Sequence, residues 1–440
     1  MKKIVILGAG FGGIKAAFEI CKKLKQLALE GKYELILVDK NSYHTYTPTL
    51  YEVAATSKNL ANQIDLKSIV TFPLAEIFKG RKITLLQKTV SALDLLDGDI
   101  HFSDGPSATL KAGQKLKFDY LVLALGSEAN YFNIPGLKEN SLVLKNFLDA
   151  LKIRDAIWRR AEAGEKNIKI VIGGGGSTGV ELAGEIKSWL CQLEEEFAKC
   201  NASVRIIEGT PSILSGFDER IIKKVTKRLR KIGVELLLNE LIEKVEPGLP
   251  GQGKAILKSG RVADYDILIW TGGVKAASLV GALPLKKEQK GRVEAVGEME
   301  CLPQSPDLKL YGKIYGLGDA VCFYNPLTGK PVPLLAEAAI QEAKVVAYNI
   351  IEDIKFAEGL TKKPRHKKYN PAKEFPYVIP VGGKYAVAKI GPLVISGFLG
   401  WVTKGLVEIY YLLFNVLPPW QALKVWLKGL WIFIQNDRLG

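Results

Sequence analysis

Two glycine-rich fingerprints stand in this chain of 440 residues, and each follows directly on a run of aliphatic residues. GAGFGG occupies Gly8 to Gly13, and GGGSTG occupies Gly174 to Gly179. In a strand–turn–helix unit, such a fingerprint brings backbone N–H groups and a helix N-terminus against the pyrophosphate of a dinucleotide. Two fingerprints therefore predict two dinucleotide pockets, one for a tightly bound cofactor and one for a diffusible partner that exchanges electrons with it. The pattern favours a flavoenzyme.

The residues around the first fingerprint predict a βαβ unit. We expect a strand over Lys2 to Leu7, a helix over Gly12 to Leu29 and a second strand over Tyr33 to Val38. Asp39 ends the second strand, where this fold carries an acid that accepts hydrogen bonds from an adenosine ribose. Within the fingerprint, we expect the first glycine to permit the tight turn, the second to admit the pyrophosphate and the third to let helix and sheet pack closely. These are Gly8, Gly10 and Gly13.

The second fingerprint has the same surroundings. A strand over Lys169 to Gly173, a helix from Thr178 and a strand over Ser203 to Ile207 are predicted, and Glu208 ends the last of them. A carboxylate at this place repels the 2′-phosphate of NADP and can bind a free 2′-hydroxyl. NADH is therefore favoured over NADPH, although the nearby Arg205 leaves room for a phosphate.

Charge and cysteine usage narrow the class of protein. The formal net charge is +15, and 13 Lys and Arg against 4 Asp and Glu lie between Lys355 and the C-terminus. Aromatic and aliphatic residues beside this basic charge favour an anionic lipid surface over nucleic acid, with a merely solvated basic face as the alternative. Five cysteines form no CxxC pair and no metal-ligand cluster, which predicts buried thiols, no disulfide, no metal site and a reducing compartment. They are Cys21, Cys191, Cys200, Cys301 and Cys322.

Longer motifs make the chain similar to a known family. Over nearly its whole length it resembles the type II, non-proton-pumping NADH:quinone oxidoreductases. The motifs are HTYTPTLYEVA (His44 to Ala54), LALGSEANYFNIPG (Leu123 to Gly136), GGGSTGVELAGE (Gly174 to Glu185), WTGGVKA (Trp270 to Ala276) and YGLGDA (Tyr315 to Ala320).

The resemblance implies FAD and NADH as cofactors and assigns residues to each. For FAD these are Gly8, Gly10, Gly12, Gly13, Asp39, Lys40, His44, Gly126 and Asp319. For NADH they are Gly174, Gly176, Gly179, Glu208 and Gly273. Glu181 would lie beside nicotinamide and flavin and help to position the hydride donor. His44 remains open between a packing role and a direct part in the chemistry.

The implied reaction is hydride transfer from NADH to FAD, followed by transfer of two electrons to a membrane quinone without ion pumping. Disulfide reductases of this fold carry a redox cysteine after the second strand, whereas Asn41 to His44 contains none. We therefore expect electrons to leave the reduced flavin directly.

The quinone side departs from the family pattern. Relatives carry two glutamines in an AQxAxQ helix, whereas this chain has Glu337 in the first position and Gln341 in the second. A carboxyl group partly desolvated at this place could titrate near neutral pH and protonate a reduced quinone, or could select another acceptor. A surface acid without a role is the remaining alternative.

The last residues resemble the family's membrane-docking tail. From Phe398, an apolar face and a polar face alternate, Pro418 and Pro419 interrupt the helix, and a second amphipathic stretch follows. The apolar face comprises Val402, Leu406, Ile409, Leu413 and Val416, and the polar face comprises Lys404, Glu408, Tyr411 and Asn415. Charges interrupt every apolar run before the ~20 residues that span a bilayer, so we expect the tail to lie on the membrane. A dimer interface or a core helix is the alternative.

The predicted architecture is therefore α/β, with two Rossmann-like domains, the NAD domain inserted in the FAD domain, and an amphipathic helical membrane-docking tail. The predicted divisions are 1–145 and 286–355 for FAD, 146–285 for NADH and 356–440 for the tail. A strand is predicted close to Met1, so we expect the N-terminal domain to be cytoplasmic and the enzyme to lie on the cytoplasmic face of the membrane, with a homodimer as an option. Two other functions compete: a soluble NADH-dependent reductase of a small electron-carrier protein, and a redox-sensing scaffold.

Overall fold

The computed structural model describes residues 1–103, 115–193, 202–248 and 252–436. The chain forms two compact units. The first unit comprises Met1–His44, Pro73–Glu128 and Val274–Glu374, and the second comprises Thr45–Phe72, Ala129–Gly273 and Phe375–Gly440. These units group residues by compactness, so the division by cofactor that the sequence suggests stays a prediction.

A five-stranded parallel sheet forms the centre of the first unit. In spatial order its strands are Lys313–Gly316, Tyr120–Leu123, Lys2–Leu7, Tyr33–Asp39 and Thr84–Gln87. The central strand is buried from Ile4 to Leu7 because a parallel sheet is covered on both faces. Helices Phe11–Gln26 and Ala336–Ala357 pack against each other beside this sheet.

Shorter elements complete the first unit. An antiparallel sheet joins Thr89–Asp94, Asp99–Ser103 and Leu116–Lys117. The remaining elements are Leu74–Ile77, Ser278–Gly281 and Gly318–Ala320, which are helical, and the strands Val274–Ala276, Val293–Glu294 and Val321–Cys322. The short strands Tyr43–Thr45, Thr71–Pro73 and Ser127–Ala129 lie where the chain passes from one unit to the other.

The second unit repeats the arrangement of the first. Its parallel sheet has the order Leu142–Val143, Ile267–Trp270, Lys169–Gly173, Ser203–Glu208 and Val234–Leu238. In both sheets the strand before the fingerprint is central and the strand that ends in an acid is its neighbour. The α/β class with two Rossmann-like domains is therefore confirmed.

Helices and two antiparallel sheets surround this second parallel sheet. The sheets are Ile242–Pro247, Gly253–Leu257 and Val262–Tyr265, and Tyr377–Pro380, Ala386–Ile390 and Leu393–Gly397. The helices are Leu50–Ala54, Gln63–Val70, Leu137–Asn140, Phe147–Glu162, Ser177–Leu193 and Glu219–Lys231. Asn146 begins Phe147–Glu162 with a capping box, in which its side chain and that of Asp149 satisfy each other's backbone N–H groups.

The tail consists of helix Phe398–Tyr411, a π-helical turn Leu412–Val416 and helix Pro419–Asn436. Proline is well tolerated in the first turn of a helix, so Pro419 begins the last helix while it prevents the preceding one from continuing. The side chains of Leu406, Phe414 and Trp420 are exposed. Among the residues that the structure describes, no helix combines the length and the apolar character needed to cross a bilayer.

The buried Asn349 side chain binds both the N–H and the C=O of Lys367, at 2.7 and 2.9 Å. One sequence-based expectation needs correction. Cys191 is disulfide-bonded, so the prediction of no disulfide was wrong. Disulfide formation depends on a Cα separation that only the fold sets, not on a CxxC spacing. The partner sulfur, and with it Cys200, lies outside the described residues, while Cys21, Cys301 and Cys322 are free and buried.

Candidate dinucleotide and electron-transfer sites

The first fingerprint forms a turn that only glycine fits at two positions. Gly8 has φ +107°, and its N–H donates to the Val38 carbonyl at 2.8 Å. A Cβ atom on Gly13 would lie 1.9 Å from the Gly8 carbonyl oxygen. A Cβ on Gly12 would lie 3.0 Å from the Ala339 carbonyl oxygen, so Gly12 also lets helix Ala336–Ala357 approach. The predicted cofactor contact of Gly12 stays a prediction.

The space beside Gly10 fits a phosphate group. Gly10 is the N-cap of helix Phe11–Gln26, where no side chain caps the helix and the first turn carries no acid. An ideal Cβ on Gly10 would meet no atom within 4 Å, and the same holds for Gly126, which has φ +70°. Helix N-terminal N–H groups beside open space form a favourable cradle for an anion.

The carboxylate of Asp39 is hydrogen-bonded to the backbone of the fingerprint. Its carboxylate accepts the N–H of Ala9 on Oδ2 and the N–H of Asn41 on Oδ1, each at 2.7 Å. Burial raises the pKa of this carboxyl group, and the two N–H donors oppose that shift. Lys40, the next residue, is exposed.

His44 is buried against the same turn. Its Nδ1–H donates to the Ala9 carbonyl at 3.0 Å, and its ring meets Phe11 edge-on with centroids 5.1 Å apart. Burial lowers the pKa of His44 to about 4, so the ring is neutral at pH 7. This geometry favours a packing role for His44.

The Gly-Asp turn completes this site. Asp319 lies in the short helix Gly318–Ala320, and its Oδ2 accepts the hydroxyl of Ser127 at 2.7 Å, next to Gly126. The N–H of Gly318 donates to Oε2 of Glu342 at 2.7 Å. The fold thus brings Asp319 and Gly126 together although 193 positions separate them in the sequence.

The second fingerprint has the same local geometry. Gly174 has φ +109°, and a Cβ there would lie 2.4 Å from the Cα of Gly272. A Cβ on Gly179 would lie 2.0 Å from the Gly174 carbonyl oxygen, whereas one on Gly176 would meet nothing within 4 Å. At Gly273 a Cβ would lie 2.8 Å from the Phe132 ring, so this glycine makes room for the aromatic side chain.

Glu208 repeats the contacts of Asp39. Its Oε2 accepts the N–H of Gly175 at 2.7 Å, and its Oε1 accepts the N–H and the hydroxyl of Thr210 at 2.8 and 2.9 Å. The guanidinium group of Arg205, the cation that left NADPH open, binds Glu235 at 2.7 Å. Its charge is therefore already partnered.

Glu181 belongs to a buried cluster of charges in the second unit. Burial raises the pKa of Glu181 to about 8; the ammonium group of Lys404 lowers it and the carboxylate of Glu52 raises it. Part of the Glu181 side chain still has accessible surface, but its environment is poor in water and disfavours the charge. Lys404 Nζ lies 2.5 Å from Glu52 Oε1 and 3.1 Å from Glu408 Oε1.

This cluster includes residues that the sequence did not assign to a site. Glu52 lies in the HTYTPTLYEVA motif, and Lys404 and Glu408 lie on the polar face of helix Phe398–Tyr411. That polar face is turned into the protein, and Tyr411 stacks on Tyr46 with ring centroids 5.1 Å apart. The sequence signal for this cluster was Glu52, an acid flanked by apolar residues within the motif.

Glu337 and Gln341 lie on the first turns of helix Ala336–Ala357, and Gln341 Nε2 donates to Glu337 Oε1 at 2.9 Å. Glu337 is exposed, and its part in quinone reduction stays a prediction. Glu342, on the same helix, is buried instead, and burial raises its pKa to about 8. Its position on the apolar stripe of the helix, between Ala338 and Val346, was a signal that sequence reasoning missed.

Two curated relatives and one solved structure are similar to this chain over most of its length. The type II NADH:quinone oxidoreductase Ndh of Mycobacterium tuberculosis is 27% identical to this chain, covering 93% of it and 84% of the relative. The type II NADH:quinone oxidoreductase of Staphylococcus aureus is 26% identical and covers 79% of the chain and 82% of the relative. The solved structure of NDH2 from Plasmodium falciparum in complex with NADH has a TM-score of 0.77 at 18% identity, with 99% of this chain and 100% of that chain covered.

The family match extends over most of the chain. The sequence pattern of the pyridine nucleotide-disulphide oxidoreductase family matches residues 2–343. This range includes both fingerprints, the acids Asp39 and Glu208, and the Gly-Asp turn. The chain belongs to the pyridine nucleotide-disulphide oxidoreductase family.

Proposed function

We propose that this protein is an FAD-dependent type II NADH:quinone oxidoreductase, which oxidises NADH and reduces a membrane quinone without pumping ions. The main support is that the two fingerprint sites share the same geometry. In each site a helix begins beside a glycine that has open space next to it, and the acid at the end of the next strand accepts the N–H of the second fingerprint residue. The two curated relatives named as type II NADH:quinone oxidoreductases support the same reaction.

The residues divide between a resident and a visiting dinucleotide. Gly8, Gly10, Gly13, Asp39, Gly126 and Asp319 would hold FAD, with Gly12, Lys40 and His44 beside it. When bound, FAD supplies the two-electron chemistry between nicotinamide and quinone. Gly174, Gly176, Gly179, Glu208 and Gly273 would hold NADH, and Glu181 would orient the hydride donor. Glu337 and Gln341 would face the quinone.

The two open glycines give a direct test of this division. Alanine fits the polypeptide at Gly10 and at Gly176, because no atom of the described residues lies within 4 Å of either ideal Cβ. Gly10→Ala is therefore expected to keep the fold but to lower the flavin content, since the methyl group occupies the place of the pyrophosphate. Gly176→Ala is expected to keep the flavin and to raise KM for NADH.

The measurements are the flavin absorbance per polypeptide and the rate of flavin bleaching by NADH. Gly281→Ala, also in open space and without a positive φ, serves as the control for the substitution itself. Equal loss of flavin in both fingerprint variants would contradict the division. Wild-type protein that oxidises NADH but reduces no quinone would contradict the function.

Glu208 provides a test of coenzyme choice. We expect Glu208→Gln to raise KM for NADH roughly 10- to 150-fold, because the loss of a charge-assisted hydrogen bond costs about 1.5–3 kcal/mol. The KM ratio of NADPH to NADH should fall as the carboxylate repulsion disappears. Glu246→Gln, which alters an exposed acid of the same unit, is the control. An unchanged ratio would show that Glu208 does not read the 2′ position.

The tail supports docking to the membrane surface. Helices Phe398–Tyr411 and Pro419–Asn436 expose large apolar side chains, while lysines stand beside them. The exposed apolar residues include Leu399, Leu406, Val407, Tyr410, Phe414, Trp420, Leu427 and Trp431. Trp and Lys suit the interfacial zone, so we place the protein peripherally on the cytoplasmic face of the membrane. A homodimer that covers part of this surface is a further component of the proposal.

A further inference from the structure

A small cavity lies beside the Gly-Asp turn of the first unit, and it has room for about one water molecule. Most of its lining residues have apolar side chains, and the two that carry carboxyl groups are Asp319 and Glu342. Val321, Phe323, Val332 and Leu335 form most of the apolar lining. A carboxyl group in such surroundings is costly to ionise.

Glu342 is the buried acid of this cavity. Only 5% of the residue is exposed, and its Oε2 accepts the N–H of Gly318. Burial raises its pKa to about 8, the Gly318 N–H lowers it, the neighbouring Asp319 raises it, and Arg292 lowers it. At neutral pH the carboxyl group therefore holds a proton that it can release as the pH rises through about 8.

Reduction of a quinone by NADH consumes one proton from the solvent. NADH gives up one hydride, which amounts to two electrons and one proton, whereas a quinone needs two electrons and two protons to become a quinol. One proton per turnover must therefore come from water. A buried carboxyl group with a pKa near 8 suits this task, because general acids work best near the operating pH.

We propose that Glu342 stores this proton, delivers it toward the quinone and takes up its replacement through the water-sized cavity beside it. This inference rests on the proposed quinone reductase function. In each cycle Glu342 loses one proton and regains one from water, so the balance NADH + H⁺ + quinone → NAD⁺ + quinol is kept. The charged and titratable groups around Glu342 are Asp319, Arg292, Tyr369 and Glu337.

The test separates proton supply from electron supply. Glu342→Gln keeps an acceptor for the Gly318 N–H but cannot release a proton. We expect it to retain flavin and to reduce ferricyanide, which takes electrons alone, at the wild-type rate. Quinone reduction should fall about 10²-fold, and its pH profile should lose the limb near pH 8.

A second readout does not depend on turnover. The infrared band of protonated carboxyl groups should weaken as wild-type protein is titrated through about pH 8, and Glu342→Gln should retain only the change that Glu181, whose pKa is also about 8, contributes. Glu358→Gln, at the C-terminal end of the same helix, is the matched control and should behave as wild type.

Two results would overturn the inference. Equal losses with quinone and ferricyanide, together with lost flavin, would make Glu342 a support of the Gly-Asp turn only. Unchanged quinone reduction by folded Glu342→Gln would exclude it as the proton store. Failure of the wild-type protein to reduce any quinone is a separate outcome, which overturns the proposed function as well.

Discussion

Lys404→Met is expected to lower the free energy of unfolding by about 3–5 kcal/mol at pH 7, because it strands buried carboxylates. Glu52 is 3% exposed and Lys404 is its ion-pair partner at 2.5 Å. Glu408 and Glu181 share the same ammonium group. The deficit should grow as the pH rises through about 8, because the Glu181 carboxyl then ionises as well.

The tail itself offers the matched control. Lys428 pairs with Asp65 at 2.9 Å, but the two side chains are 43% and 37% exposed. Lys428→Met should therefore change the free energy of unfolding only slightly, because solvent screens an exposed ion pair. The double variant Glu52→Gln, Lys404→Met should recover much of the loss. Denaturant unfolding followed by circular dichroism measures all three variants, and equal losses for the two lysine variants would refute the buried ion pair.

Gly13→Ala is expected to yield a colourless and poorly folded protein. The added Cβ would overlap the Gly8 carbonyl oxygen at 1.9 Å, and this contact is between backbone segments that cannot turn aside. Helix Phe11–Gln26 would have to move away from the central strand, which removes both packing and the phosphate cradle. The loss of stability should reach about 3 kcal/mol, the upper end of the usual cost of overpacking.

Comparison with Gly10→Ala separates loss of flavin from loss of the fold. Gly13→Ala should lose flavin together with its thermal midpoint, whereas Gly10→Ala should lose flavin while the midpoint of the flavin-free protein is retained. Both quantities can be read from absorbance and from thermal unfolding. A yellow Gly13→Ala protein with wild-type stability would show that the fingerprint turn is looser than the structure indicates.

Much of the fold could be predicted because its signals are local. A run of aliphatic residues such as Ile4 to Leu7, a fingerprint and an acid at the next strand end occur within about 40 residues of sequence. Helix Phe11–Gln26 begins within one residue of its predicted start. The second fingerprint lies in the same local sequence pattern, which predicts the second parallel sheet in the same way.

The rest depends on tertiary packing that no local pattern contains. Glu337 and Glu342 are two acids on one helix, and only the fold determines which of them is buried. The polar and apolar faces of helix Phe398–Tyr411 were recognised, but the sequence did not show that the polar face is the inward one. Two charged partners from distant segments, Glu52 and Lys404, create that preference.

The inward polar face of the tail bears on how a detergent-free preparation could be obtained. A chain shortened to end at Gly397 would expose the Tyr46 ring that Tyr411 covers and would take away the cation beside Glu52. Exchange of outward residues such as Leu406, Phe414 and Trp420 for polar ones leaves that interior intact. Surface redesign, rather than truncation, is therefore the route to a monodisperse sample for crystallisation.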